Sequence, residues 1–234
     1  MDLVKENWNK DAIKELEEYL FSISHLDKVP FENKIVNTSQ TMLGISMPTL
    51  RVIAKEIYKG NYLSYIKNNP KNYYEENILE ALVISLIKDE NLQFELLDNY
   101  LPTCDSWAHT DSIKYSISKK NMDKWFNYAK DSIKSKYIFK RRCGILVFFK
   151  LIETDYLKDI FELINGMNDE QEYYVNMAIA WFLCDAFIKR REETLEFLST
   201  TSLQKFTVNK AISKCRDSFR VSKEDKELLL KYKK

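Results

Sequence analysis

Apolar positions recur at three- and four-residue spacings from one end of the chain to the other, the pattern of amphipathic helices. In residues 11–24, Ile13, Leu16, Leu20 and Ile23 form one stripe. A short segment follows at 31–37. Pro48 opens the next helix, where its fixed φ and missing N–H do no harm. Leu50, Ile53, Ala54 and Ile57 make the buried stripe of that helix, and Gly60 can end it. The same periodicity predicts helices over 73–88, 91–100, 106–119, 122–134, 137–152, 156–164, 171–189, 192–198, 207–219 and 223–232. The linkers are short, and no segment reads as a strand.

Helices joined by tight turns pack as antiparallel pairs, and pairs stacked side by side make an α-solenoid. Pairs near 73–100, 106–134, 137–164 and 171–198 recur about every 32 to 35 residues, within the range of helical repeats. The solenoid rests on that spacing, since no residue-level repeat accompanies it. A compact all-α bundle is the competing architecture. With no interdomain linker in view, residues 1–234 are expected to form a single domain.

Composition agrees with helices. Four glycines and four prolines are too few for the turns of a β-sandwich or a Rossmann chain. A hydrophobic fraction of 45% beside 30% charged residues fits a soluble globular protein. Four dispersed cysteines and two histidines offer no zinc spacing, so neither metal nor cofactor is expected. The cysteines read as buried free thiols in a reducing compartment. No apolar run approaches the ~18 residues that span a bilayer, and no apolar signal core opens the chain, so a cytoplasmic protein is expected.

Candidate chemistry lies in four residues. Trp107 and Asp111 stand one helical turn apart, Arg142 (beside Arg141) lies in the 137–152 helix, and Trp181 sits in a later apolar helix. Two indole faces, a carboxylate and a guanidinium suit a flat cation attached to something anionic. Aromatic faces attract cations, a carboxylate stabilises developing positive charge, and arginine grips phosphate in a fork. Bland readings stand beside these. Asp111 could be a cap or a solvated residue, Trp181 a core residue and the arginine pair a solvated face. His109 reads as a surface or supporting residue rather than a general base. Net charge is only +1, but phosphate is bound by local clusters rather than by the sum. Lys140, Arg190, Lys210 and Lys214 belong to basic pairs and runs at helical spacing, and with Arg141 they are the DNA-contact candidates.

Met42-Leu-Gly-Ile-Ser-Met-Pro-Thr-Leu-Arg-Val-Ile-Ala-Lys55, Trp107 with Asp111, Arg141-Arg142-Cys-Gly-Ile-Leu146, Tyr174-Val-Asn-Met-Ala-Ile-Ala-Trp181 and Asn209-Lys-Ala-Ile-Ser-Lys-Cys-Arg-Asp217 occur in an order that spans nearly the whole chain. In this ordered set the chain resembles the bacterial DNA alkylation repair family of AlkD-like alkylpurine DNA glycosylases. The resemblance implies a HEAT-like superhelix with a concave DNA-binding face. It also implies excision of positively charged N3- and N7-alkylated purines from duplex DNA by a monomer. The family's essential aspartate matches Asp111, its lesion-facing tryptophans match Trp107 and Trp181, and its backbone-contacting arginine best matches Arg142, with Arg141 one register away. The four are expected to line one cleft. One departure is Ala108-His109-Thr110, where the best-known members carry an acidic residue after the tryptophan. The rival reading is a non-catalytic HEAT-like module that binds DNA structure or a protein.

Overall fold

Fourteen α-helices and two short 3-10 turns make up the regular structure of the computed structural model, which describes residues 1–234. The sole β-type contact is an isolated parallel bridge between Thr41 and Tyr73. The chain is all-α, as the periodicity demands. Its helices fall into two compact units, Met1–Ser116 and Ile117–Lys234. None of the helices is long and apolar enough to cross a membrane.

The first unit holds α1 (Lys10–Ser22), α2 (Val29–Val36), α3 (Met47–Lys59), α4 (Tyr62–Asn68), α5 (Tyr74–Ile84), α6 (Glu90–Tyr100) and α7 (Trp107–Asp111). Side-chain oxygens of Asn9, Ser46, Asn61, Asp89 and Ser106 cap five of these helices at their N-termini, a contribution of about 1 kcal/mol each. At the centre, α5 is buried along its whole length, and α3, α6 and α7 pack against it. A helix buried all round must satisfy its polar side chains internally. Glu75 accepts the backbone N–H groups of Leu43, Gly44 and Ile45 at 2.9, 2.8 and 3.3 Å. Glu80 pairs with Lys71 at 2.9 Å and accepts from Asn69 at 2.8 Å. The Glu75 cradle requires Gly44, which has φ +72° and would place a Cβ 2.4 Å from the His25 carbonyl oxygen.

The second unit holds α8 (Met122–Ser132), α9 (Ile138–Phe148), α10 (Leu157–Asn165), α11 (Tyr173–Lys189), α12 (Arg191–Thr200), α13 (Lys205–Asp217) and α14 (Lys223–Leu229). Here α8 packs on α9, α9 on α11 and α11 on α13. From α9 onward alternate helices therefore lie side by side, with α10 and α12 carrying the chain back between them. Gly144 lets α9 approach α8 closely, since a Cβ there would sit 2.8 Å from the Ala129 carbonyl oxygen.

Two elements depart from the periodicity. The seven-residue α4 falls in what reads as a linker; Asn61 caps it and Tyr65 buries one side. The helix expected over 106–119 stops at Asp111. Hydroxyls end it: Thr110 donates to the Trp107 carbonyl at 2.9 Å and Ser112 to that of Ala108 at 2.6 Å. Such back-bonding competes with helix continuation. Beyond it, Ile113 and Tyr115 alternate as buried residues of an irregular segment whose Lys114 N–H donates to Ser85 Oγ at 2.9 Å.

Candidate functional site

The segment before α7 is tied to the end of α2. Ser106 Oγ donates to the Val36 carbonyl at 2.7 Å, and Trp107 Nε1–H donates to that of Ile35 at 3.2 Å. Asp105 accepts Ser39 N–H at 2.7 Å, Ser39 Oγ–H at 2.6 Å and Thr38 Oγ1–H at 2.8 Å. Burial opposes ionisation of Asp105, but the Ser39 and Thr38 hydrogen bonds outweigh it and hold the carboxyl below its ordinary range. The indole of Trp107 is thereby fixed in orientation by groups that no motif advertised.

Within α7, Ala108, His109 and Thr110 are buried, while Trp107 and Asp111 keep partial exposure. Residues at i and i+4 share a helix face, so the indole and the carboxylate look outward together. Asp111 Oδ1 accepts a hydrogen bond from Thr110 Oγ1 at 3.1 Å. His109 is fully buried rather than superficial, with its ring centroid 5.1 Å from that of Tyr74. Its Nδ1 lies 3.5 Å from Asp105 Oδ1, too long for a good hydrogen bond. Burial pushes its pKa down to about 4, the Asp105 charge opposing only in part. His109 is therefore a neutral packing residue at physiological pH. Ala108, the first residue of the Ala108-His109-Thr110 departure, also belongs to this packed side.

Trp181 is 43% exposed on α11, although Ala178, Ile179, Ala180, Phe182 and Leu183 around it are buried. Its ring meets Phe149 edge-on at 4.9 Å. Trp8 and Trp125, by contrast, are core residues with no exposure. The four tryptophans thus separate into two that build the fold and two that face outward in part, and the latter are the two singled out from sequence. The adjacent arginines also separate. Arg141 is bound through two nitrogens to Glu170 at 2.6 and 3.0 Å and donates a third hydrogen bond to the Ser135 carbonyl at 2.9 Å. Arg142 is nearly buried and donates to the Tyr174 carbonyl at 2.7 Å.

Other basic candidates divide the same way. Arg190 is held by Glu193 at 2.5 and 2.8 Å, Arg191 by Asp225 and Glu192. Lys189 and Arg220 share Asp185 at 3.4 and 2.9 Å. Lys210 is exposed with its ammonium 5.9 Å from the Phe206 ring centroid, and Lys140 and Lys214 are half-buried. Three of the cysteines are buried thiols and Cys104 is half-buried. The structure contains no group of three His, Cys, Asp or Glu side chains able to hold a metal ion.

An all-α protein of side-by-side helices, with a tryptophan–aspartate pair on one short helix and an exposed tryptophan on a long one, is the class that fold and residues define. The sequence matches the DNA alkylation repair enzyme family over residues 6–215, and the chain belongs to that family. No curated protein matches it. The matched span includes Trp107, Asp111, Arg142 and Trp181.

Proposed function

We propose that the protein is a DNA glycosylase that removes cationic N3- and N7-alkylated purines from duplex DNA. The observation that carries this reading is the face of α7, where a partly exposed indole, oriented through its N–H, stands one turn from a partly exposed carboxylate. A purine alkylated at N3 or N7 bears a positive charge and is already a good leaving group. When its bond to C1′ breaks, the electron pair leaves with the base and neutralises it. Asp111 stabilises the positive charge that grows on the sugar and accepts a hydrogen bond from the attacking water. The water oxygen bonds to C1′ and its proton passes to solvent. No step requires a strong acid, consistent with a buried, neutral His109.

Trp107 and Trp181 each offer a partly exposed aromatic face, which favours a cationic nucleotide. Arg142, tied to the Tyr174 carbonyl, is assigned one phosphate contact. The membership in a DNA alkylation repair family supports the substrate class. Burial of Ala108, His109 and Thr110 also favours activity over a non-catalytic module, because the departure from the family pattern lies on the packed side of α7.

Release of 7-methylguanine from alkylated duplex DNA tests the proposal. Asp111→Asn should lower the release rate by about 10²- to 10³-fold, the cost of losing one preorganised electrostatic partner, while undamaged duplex is bound as before. Trp181→Ala should weaken discrimination between cationic and neutral lesions. Wild-type rates in Asp111→Asn would rule out the carboxylate mechanism.

A further inference from the structure

At their N-terminal ends, α9, α11 and α13 each present an exposed aromatic ring. Tyr137, the residue before α9, is 41% exposed; Tyr173, which opens α11, is 55% exposed; Phe206, in the first turn of α13, is 39% exposed. The three ends adjoin one another. Phe139 of α9 lies 5.8 Å from Tyr174 of α11, and Tyr173 lies 6.1 Å from Phe206, centroid to centroid. A polar network behind the rings fixes these ends in place. Glu170 clamps Arg141, its carbonyl accepts from Asn176 and Gln204, and Asn176 Oδ1 accepts from Thr207 Oγ1.

Positive charge accompanies the rings. Lys136 Nζ lies 5.1 Å from the Tyr137 centroid and Lys210 Nζ 5.9 Å from that of Phe206. No N-cap side chain occupies the first-turn N–H groups of these three helices, and helix N-termini favour anions. Of the carboxylates near this end, Glu170 is neutralised by Arg141, and Asp169 and Glu172 line a cavity of about 810 Å³ together with Arg141. Along α11, Tyr173, Met177 and Trp181 follow one another at i+4 on the incompletely buried face. Eight residues separate Tyr173 from Trp181, about 12 Å at the helical rise, or roughly three to four nucleotide steps of 3.4 Å.

We infer that this aromatic and cationic surface of the second unit binds unpaired DNA, with bases stacked on Tyr173, Phe206 and Tyr137 and phosphates held by Lys136 and Lys210. Intact duplex hides its base faces and offers mainly phosphate and sugar. Solvent-facing rings interleaved with lysines are suited to a strand whose bases are free, as in sequence-tolerant single-strand binders. The inference concerns undamaged DNA and is independent of base release.

Fluorescence anisotropy with a labelled oligothymidylate of about 12 nucleotides, beside an undamaged blunt-ended duplex, tests it. Tyr173→Ala and Phe206→Ala should each weaken oligothymidylate binding about 5- to 150-fold, the range of one lost base–aromatic stack. Duplex binding should change less than about threefold, which is within the loss of a single surface contact. Tyr173→Phe, which keeps the ring, should bind like the wild type. Both alanine sites are exposed, and a thermal melt confirms that the variants fold. Failure of the wild-type protein to bind the oligothymidylate, unchanged binding by both alanine variants, or equal losses on duplex would each overturn the inference. The last outcome would identify a duplex-backbone surface instead.

Discussion

Glu76 has no solvent exposure on the central helix α5, and its Oε2 accepts the Tyr73 N–H at 3.1 Å. Burial raises its pKa from 4.5 to about 7, the Tyr73 N–H opposing and the charges of Glu17 and Glu75 adding to the rise. The folded protein therefore keeps this proton across a pH range in which the unfolded chain has released it, so stability from this group falls as pH rises from about 4.5 to 7. Glu76→Gln should match the wild type near pH 4.5 and exceed it at pH 8, by up to about 3 kcal/mol, as denaturant melts at the two values will show. His109 acts with the opposite sign. Its depressed pKa means that stability is lost as pH falls from 6.5 toward 4. Neither shift is legible in sequence, where Glu76 sits among three glutamates that read as an ordinary charged helix face. Trp181 runs the other way: an indole in an apolar run reads as core, yet the orientation of α11 leaves it partly in solvent.

At the scale of elements, helix positions were the most legible feature, because period and capping residues are local properties of the chain. The stripe Leu50, Ile53, Ala54 and Ile57 is indeed the buried face of α3, and Asp89 and Ser106 cap where sequence leads one to expect starts. α7 was overestimated because its apolar pattern continues through Ile113 and Tyr115, and these are buried by an irregular segment rather than a helix. The loop from Met42 to Ser46 shows what an element boundary can cost. Three of its backbone N–H groups converge on Glu75, in a turn that needs left-handed backbone at Gly44. Gly44→Ala should destabilise the protein by more than about 2 kcal/mol, combining a strained φ with a clash against backbone. Thermal denaturation measures this; a melting temperature unchanged from the wild type would show that the loop can rearrange.

Over the whole molecule, 36 basic and 35 acidic side chains nearly cancel, and several cations, two of the DNA-contact candidates among them, are already paired. Arg141, Arg190, Arg191, Lys189 and Arg220 all hold carboxylates. Affinity for undamaged duplex must then come from other basic side chains, the exposed Lys210 among them. Binding should be insensitive to sequence, with a log–log salt slope of about −0.9 per phosphate neutralised and a total near −3 to −5. A titration between low and physiological salt gives the slope, and a value near zero would remove DNA binding through lysine–phosphate contact.

What the sequence by itself determined is whatever depends on neighbours along the chain: the helices, most of their ends, the all-α class and, through ordered motifs, the family, with Trp107, Asp111, Arg142 and Trp181 as the groups proposed for the site. What only tertiary structure decided is which of those groups are available. Exposure and pairing depend on residues far away in sequence. Asp105 meets Thr38 and Ser39, Arg141 meets Glu170, and the Trp107 indole is held by Ile35. A side chain that is a lever for binding when free becomes scaffold once a distant partner satisfies it, and no local spacing carries that information.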